Sequence, residues 1–152
     1  MKKHLKGFTL IELLVVIAII GILAAIVLAS LGTARGKGND AKVQEQLNSL
    51  RNAGEAYFSA NNNYGAAANP AETDCATQGM ALDTVTGFAS LVTGSNWPGG
   101  VAPTCVNDAT IAQDATAFAA WHVLNDVTYW CVDSAGASKA EASAPAAVSA
   151  CP

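Results

Sequence analysis

The feature that most constrains this chain is an apolar run close to its N-terminus. The segment Leu13–Ala29 contains no charged or strongly polar side chain, and three lysines lie within the six residues that open the chain. With its flanks, the run approaches the roughly 20 residues that a helix needs to cross a bilayer. Because basic residues favour the cytoplasmic side of a membrane, the sequence predicts a spanning helix with its N-terminus inside and the remaining chain outside.

One acidic residue, Glu12, stands at the edge of this run. An ionised carboxylate in such a position costs about 2.5–3.5 kcal/mol on insertion scales, so Glu12 requires a positively charged partner. The spacing suggests an amine at Phe8, which a cut after Gly7 would create.

The residues Gly7, Phe8, Thr9, Leu10 and Glu12 resemble, in register, the N-terminus of type IV prepilins and related pseudopilins. In that family a membrane-embedded aspartyl peptidase cuts after the glycine and methylates the new N-terminus. The resemblance therefore implies processing between Gly7 and Phe8 and N-methylation of Phe8. It also implies that Glu12 neutralises the N-terminal ammonium of a neighbouring subunit during assembly.

The resemblance covers residues 1–34 and has one departure. Many members carry a helix-kinking proline where this chain has Ala29, whereas Gly21, a glycine in many relatives, is present. Two other interpretations of the segment are a secretory signal cleaved before Ser30 and a plain membrane anchor. Signal cores usually span 7–15 apolar residues without a glutamate near their start, so the residues from Gly7 to Glu12 favour the prepilin.

Four cysteines lie in the part expected to be exported: Cys75, Cys105, Cys131 and Cys151. An even number in a small exported domain predicts two disulfides, and three connectivities are possible. We favour the sequential closures Cys75–Cys105 and Cys131–Cys151, the second of which would tie the C-terminus to a strand, as in many pilins. The spacing provides no Cys-x-x-Cys pair for zinc or redox chemistry.

The composition fits one small exported domain after the N-terminal segment. Only 13 per cent of the residues are charged, and the net charge is −4. Removing residues 1–7 leaves five basic against twelve acidic residues, a net charge of −7. An acidic surface repels phosphate backbones, so we expect no direct binding to nucleic acid.

The segment from Phe8 to about Ala60 is predicted to form one long helix. After residue 34 it becomes amphipathic, and an apolar stripe is expected to pack on the globular head. The stripe consists of Val43, Leu47, Leu50, Gly54 and Tyr57. The glycines at 32, 36 and 38 are either a hinge or the end of one helix before another.

The rest of the chain predicts a small antiparallel β-head. Residues 61–65 end the helix, 66–84 form a connector, 84–92 are a strand or a short helix, and 95–103 are a loop. The strongest strand pattern lies in 118–124 and 127–132, which a two-residue Asn125-Asp126 turn would join. In the first of these strands, Phe118 and Ala120 share one face, and Ala119 and Trp121 share the other.

The head shows little sign of chemistry. His122 is interpreted as a packed or solvent-edge residue, and Asp126 and Asp133 as solvated turn acids, because calcium needs 6–8 oxygen ligands. The aromatic residues Trp97, Trp121, Tyr129 and Trp130 could form an adhesion patch, but packing is the stronger interpretation. No phosphate loop, carboxylate pair or nucleophile motif is present in the sequence, so an enzyme, a metal site and a cofactor are not expected.

These observations predict an α+β fold in which a long N-terminal helix packs on a small antiparallel sheet. The expected parts are a cleaved leader at 1–7, a membrane and filament-core helix at 8–34, and an exported head at 35–152. The resemblance implies a structural pilus subunit, held in the inner membrane before it assembles into a surface filament. Its expected partners are prepilin peptidase, the pilus assembly machinery and other copies of itself. The alternatives are a type II secretion or DNA-uptake pseudopilin and, from a different class, a membrane-anchored or secreted binding module.

Overall fold

The computed structural model describes residues 7–65, 79–108, 114–145 and 150–152. It contains the helices α1 (Leu10–Asn61) and α2 (Phe88–Leu91). Its strands are β1 (Thr104–Asn107), β2 (Phe118–Val123), β3 (Tyr129–Asp133) and β4 (Ser138–Glu141). The chain divides into two compact units, Met1–Lys37 and Gly38–Pro152, the second of which holds α2 and all four strands. The class is α+β, as predicted.

In the first unit, α1 begins at Leu10 and its apolar side chains face outward. The large apolar side chains from Phe8 to Leu31 are 47 to 85% exposed, so none of them contributes to a core within this chain. The helix continues through Gly32, Gly36 and Gly38 without interruption. The alternative of two successive helices is therefore wrong, and the single helix is confirmed.

In the second unit, α1 buries the predicted apolar stripe. Val43, Leu47 and Leu50 are fully buried, and Ala53 joins them one turn further on. This spacing keeps the residues on one face of a helix with 3.6 residues per turn. They form the main core together with Phe118, Ala120 and Val132 of the sheet and Phe88 of α2. The prediction that the stripe packs against the head is confirmed.

The four strands form one antiparallel sheet in the order β1-β2-β3-β4. The central pair, β2 and β3, corresponds to the predicted hairpin. The two edge strands were not predicted. Strand β1 has only four residues after a Pro- and Gly-rich loop, and β4 has the sequence SKAE, which has low intrinsic strand preference. These segments are strands because they pair with β2 and β3. Their own sequences give no sign of that pairing.

The turn between β2 and β3 differs from the two-residue turn that was predicted. The Leu124 N–H donates to the Thr128 carbonyl at 2.7 Å, and the Val127 N–H donates to the Leu124 carbonyl at 3.1 Å. Val127 has a φ of 65°, which is rare for a β-branched residue. The loop is thus a type I turn followed by one left-handed residue, and β3 begins at Tyr129. The prediction that residues 127 and 128 lie in the strand is wrong.

The two faces of β2 are occupied as predicted. Phe118 and Ala120 point into the main core, between the sheet and α1. Ala119 and Trp121 lie on the opposite face, where they pack with Cys131 in a second, smaller cluster. This alternation follows from the two-residue period of a strand.

The segment before the sheet is compact but mostly irregular. Within residues 84–92, where a strand or a helix was expected, the chain forms α2. The predicted loop at 95–103 contains parts of two single 3₁₀ turns, Gly94–Asn96 and Pro98–Gly100. Trp97, between these turns, is buried and donates its Nε1–H to the Leu91 carbonyl at 2.6 Å. Of the predicted connector at 66–84, the structure describes residues 79–84, which include the 3₁₀ turn Gly79–Leu82.

Polar side chains of α1 bind to several loops of the head. They reach the β2–β3 turn, the segment before the sheet and the β3–β4 hairpin, so together they define how the helix lies on the sheet. The contacts are Asp40 with the Asn125 N–H, Gln46 with the Asn96 carbonyl, Asn48 with the Ser138 hydroxyl, and Arg51 with the Gly136 carbonyl.

The close approach of α1 to the sheet depends on Gly54. A Cβ at this position would lie 2.8 Å from the Phe118 ring and 3.3 Å from the Met80 sulfur. Overpacking a core usually costs about 1–3 kcal/mol, which exceeds the roughly 1 kcal/mol that alanine gains over glycine in a helix. We therefore expect Gly54→Ala to lower the free energy of unfolding by about 1 kcal/mol or more.

Gly38→Ala is the matched control, since a Cβ there would meet nothing within 4 Å. It should raise the free energy of unfolding by up to about 1 kcal/mol through helix propensity alone. Urea unfolding of the detergent-solubilised chain, followed by tryptophan fluorescence, compares the two variants. Equal and positive shifts would show that the helix does not approach Phe118 as closely as described.

Candidate functional site

The start of α1 is organised by Thr9 and Glu12. The Thr9 backbone N–H and the Thr9 hydroxyl both donate to the same oxygen of Glu12, Oε2, at 2.8 Å. In return, the Glu12 N–H donates to the Thr9 hydroxyl at 3.3 Å. This reciprocal arrangement is a capping box, which satisfies backbone donors that the first turn of a helix leaves unpaired.

The capping box gives Glu12 a role that the sequence analysis missed. A threonine followed three residues later by glutamate, just before an apolar run, is the signal that predicts it. Glu12 was instead interpreted only through its charge. The two roles are compatible, because within the described residues the second carboxylate oxygen, Oε1, makes no hydrogen bond.

Gly7 and Phe8 precede the helix and are exposed on the surface of the structure. The Phe8 side chain is 85% exposed, and a Cβ on Gly7 would meet nothing within 4 Å. The peptide bond between them lies two residues before α1, outside its hydrogen-bonded turns. A peptidase could therefore reach this bond without unfolding the helix.

By length and composition, α1 is apolar enough to cross a membrane, and its most apolar window has no residue buried within the structure. Its charged residue at the start, Glu12, lies at the edge of this window and is held by Thr9. The exposed apolar surface therefore has to be covered by lipid or by other protein chains.

At the other end of the chain, residues 150–152 are fixed to the sheet. The predicted Cys131–Cys151 disulfide is present, with a Cα–Cα distance of 5.8 Å. The buried Asp133 carboxylate accepts the Cys151 N–H at 2.9 Å, and Lys139 donates to the Pro152 carbonyl. Cys105 is also disulfide-bonded. Cys75, its partner in the predicted pairing, lies outside the described residues.

The candidate chemical residues of the head have structural contacts. The His122 ring stacks on Trp97 with 5.1 Å between centroids, and its nitrogens lie 2.7 and 3.1 Å from the carbonyl oxygens of Val123 and Val101. Asp126 is exposed and accepts hydrogen bonds from Thr128, as expected of a solvated turn acid. Asp133 is buried and accepts the Ala137 N–H at 2.8 Å, so the prediction of a solvated acid is wrong at this position. In the described ranges, no group of three His, Cys, Asp or Glu residues is placed to hold a metal ion.

The four aromatic residues considered as an adhesion patch lie apart. Trp97 is buried in the main core, and Trp130 packs against that core while its Nε1–H donates to the Ser138 hydroxyl. Only Trp121 and Tyr129 lie together, on the sheet face opposite α1. The sheet thus separates the four residues, and they form no single patch.

The titratable groups of the head whose pKa values are shifted have hydrogen-bond partners within the head. Hydrogen bonds from Thr86 lower the pKa of Asp83, and those from Thr128 lower the pKa of Asp126. Burial, with the neighbouring Glu55 carboxylate, raises the pKa of Tyr64 to about 12. Each shift has a local partner that accounts for it, and none lies beside a nucleophile that it could activate.

Comparison with known proteins matches the N-terminal segment. The family described as "Prokaryotic N-terminal methylation motif" matches residues 2–28. The chain is also similar to the "Type IV wide pilus major component PilA4" of Thermus thermophilus, with 50% identity over 62 residues, or 41% of this chain and 47% of the relative. No solved structure matches.

Two further relatives are similar to this chain over about the same length. The "Type IV major pilin protein PilA" of Myxococcus xanthus is 39% identical over 64 residues, 42% of this chain and 29% of the relative. The "Type II secretion system core protein G" of Aeromonas hydrophila is 40% identical over 63 residues, 41% of this chain and 44% of the relative. The matches thus span less than half of each relative. They confirm the resemblance to type IV pilins and pseudopilins that the sequence indicates.

Asp108 provides a test of the capping role of the head carboxylates. Partial burial raises its pKa, but the hydroxyl of Thr116 and the amides of Ala117 and Thr116 donate to its carboxylate at 2.6–2.8 Å and lower the pKa overall. A carboxylate with a lowered folded-state pKa stabilises the fold above the ordinary carboxyl pKa, and this stability is lost as the pH falls through the folded-state value.

Asp108→Asn should therefore lower the free energy of unfolding by about 1 kcal/mol at neutral pH, since the side chain is largely exposed. The difference from the wild type should shrink below the ordinary carboxyl pKa. Urea unfolding at a series of pH values measures it. A difference that stays constant down to the most acidic point would show that the carboxylate charge is not what holds this loop.

Proposed function

We propose that this chain is a structural subunit of a type IV pilus. The observation that supports the proposal most is the combination of the methylation motif at residues 2–28 with an α1 whose first half has no core of its own. The similarity to two major pilins supports it further. The domain parts proposed are the leader 1–7, the membrane and filament helix 8–34, and the exported head 35–152.

Assembly would cover the exposed surface of α1. Burying apolar surface away from water contributes about 25 cal/mol per Å², and the exposed side chains from Phe8 to Leu31 provide the area. In the inner membrane the lipid tails already cover the same surface, so helix association there gains little from the hydrophobic effect. Extraction into a surface filament thus requires an energy-driven assembly machinery, which we propose as a partner.

Glu12 would contribute through both of its oxygens. Oε2 holds the start of the helix by accepting from Thr9, and Oε1 can receive the Phe8 ammonium of a neighbouring copy. At about 4 Å and an effective dielectric of 20, that attraction is roughly 4 kcal/mol. This exceeds the roughly 2.5–3.5 kcal/mol cost of placing the carboxylate in an apolar layer. The pair would favour entry into the filament without affecting how the head folds.

A type II secretion pseudopilin is the second candidate, because the Aeromonas hydrophila relative is a secretion core protein with 40% identity over 63 residues. The pilus is favoured by the higher identity, 50%, to the Thermus thermophilus pilus component over a similar length. A structural role also fits the contacts of the head, since its titratable groups have structural partners. We therefore propose no enzymatic activity.

Processing is the first test. We expect prepilin peptidase to remove residues 1–7, so that mass spectrometry of the native product finds a chain that begins at an N-methylated Phe8. Gly7→Val should keep the leader attached, because the small residue before the cut is lost. A product that begins at Ser30 would contradict the proposal and identify the segment as a secretory signal.

The role of Glu12 is tested by separating its charge from its capping function. Glu12→Gln keeps an N3 side chain that can accept from Thr9 but removes the charge. We expect it to leave processed subunit in the membrane and to reduce filament yield at least tenfold, as counted by electron microscopy against the membrane pool.

Thr9→Val is the matched control, since it removes the capping hydroxyl and keeps the carboxylate. It should weaken the start of the helix by about 1 kcal/mol and leave most of the filament yield. Normal filaments from Glu12→Gln together with few from Thr9→Val would show that capping, and not charge pairing, is what assembly needs.

A further inference from the structure

Most of the basic residues of the processed chain have no partner within it. Five basic residues remain once the leader is removed, and two of them, Arg51 and Lys139, bind acceptors in the head. The other three are exposed and make no hydrogen bond or ion pair among the described residues: Arg35, Lys37 and Lys42. The segment 38–152, with three basic and eleven acidic residues, has the opposite charge. These cations of one copy can therefore attract the head of another.

An open cavity of about 230 Å³, which we call the Asp40 cavity, lies where α1 meets the β2–β3 turn. Asp40 is the acid of its wall, and the side chains of Asn39 and Asn125 lie in the same wall. The Asp40 Oδ1 accepts the Asn125 N–H at 2.7 Å, whereas its Oδ2 makes no hydrogen bond within the described residues. The other titratable residue of the wall, His122, has both ring nitrogens beside backbone carbonyls, so the backbone holds its ring.

The Asp40 cavity fits the end of one basic side chain. Its volume is below the 300–1,000 Å³ of sites that enclose drug-sized ligands. The free carboxylate oxygen provides an acceptor, and Val43, Pro98 and Leu124 provide apolar wall for an aliphatic stem. A guanidinium suits this wall better than an ammonium, because it has five donors in a planar fork and is more weakly hydrated.

The register of neighbouring copies follows from the proposed pairing of Glu12 with the Phe8 ammonium of the next copy. One screw operation relates the copies of a helical filament, so every residue of the next copy is displaced along the axis by the same rise. The chain from Phe8 to Glu12 spans about 6 Å if all four steps are helical. It spans about 10 Å if the two steps before Leu10 are extended. With α1 along the filament axis, the next copy is therefore displaced towards the head by about four to six residues of helix.

This displacement brings one of the three unpaired cations to an acid. Arg35 of the next copy comes level with residues 39–41 of the first copy, and Asp40 is the middle residue of that range. The same shift takes Lys37 and Lys42 to levels where α1 carries no acid. The register set at the start of the helix thus selects Arg35.

We propose that Arg35 of each copy inserts into the Asp40 cavity of the neighbour whose Glu12 receives its Phe8 ammonium. The two ion pairs join the same two copies and require the same register, so each favours the other. A contact between two different surfaces of one chain does not close on itself in pairs, and its repetition generates an open helical array. The inference rests on the proposed function and extends it from the start of α1 to the base of the head.

A double-mutant cycle in the full-length chain, produced with its own assembly machinery, tests the pair. Arg35→Gln and Asp40→Asn each remove one charge, and the new asparagine can still accept the Asn125 N–H. We expect each single variant to lower filament yield about tenfold relative to the membrane pool. The double variant should assemble no worse than either single variant, whereas independent effects would multiply to about a hundredfold loss.

Lys42→Gln is the matched control, because it makes the same change of charge on the same helix at a residue that the register places beside no acid. It should keep most of the filament yield. A loss equal to that of Arg35→Gln would overturn the inference, since it would show that only the net charge of α1 matters.

The remaining outcomes separate this inference from the proposed function. A loss from Arg35→Gln without one from Asp40→Asn would overturn the contact, because Arg35 would then meet another anion, such as a lipid headgroup. Normal filaments from both single variants would also overturn it and leave the pilus subunit intact. Failure of the wild-type chain to form filaments beside its own assembly machinery would instead contradict the proposed function.

Discussion

The packing of α1 on the sheet is the constraint on which the head depends. The head has few large apolar residues, and its main core forms where Val43, Leu47 and Leu50 meet Phe118 and Phe88. Gly54 lets the helix approach the Phe118 ring closely enough to complete that core. The polar contacts from Asp40 to Arg51 act on the same interface, since they bind the helix to the β2–β3 turn and to the β3–β4 turn. Without the helix, the sheet would expose its inner face to water.

The two halves of α1 have different surroundings. Beyond Gly38 its apolar residues follow one stripe, because only one side faces the sheet. Before that point they occupy every side, and the structure buries none of them. One part of a single helix can thus pack in a folded head while another part is covered by molecules outside the chain.

Much of this could be predicted from the sequence, and the failures have identifiable causes. The long helix, its stripe and the two faces of β2 follow from residue periodicity, which is a local signal. Strands β1 and β4 could not be found this way, because they are short and depend on pairing with strands distant in sequence. The β2–β3 turn was missed by one residue, since nothing local indicates that Val127 adopts a positive φ. The three-residue spacing of Thr9 and Glu12 predicts a capping box, but Glu12 was interpreted from its charge alone.

The fixed C-terminus has a mechanical consequence. Strand β4 is one of the two edge strands, joined to the sheet on one side only, so a force that separates the strands can detach it more easily than β2 or β3. The chain beyond β4 returns to Cys131 in the middle strand β3, where the disulfide and the Asp133 carboxylate hold it. Separation of β4 from the sheet can therefore release no more than the chain between Cys131 and Cys151, which lie 20 positions apart. A subunit under tension in a filament would therefore extend by a limited length and could refold. A sheet without this disulfide would have no such limit on its unfolding.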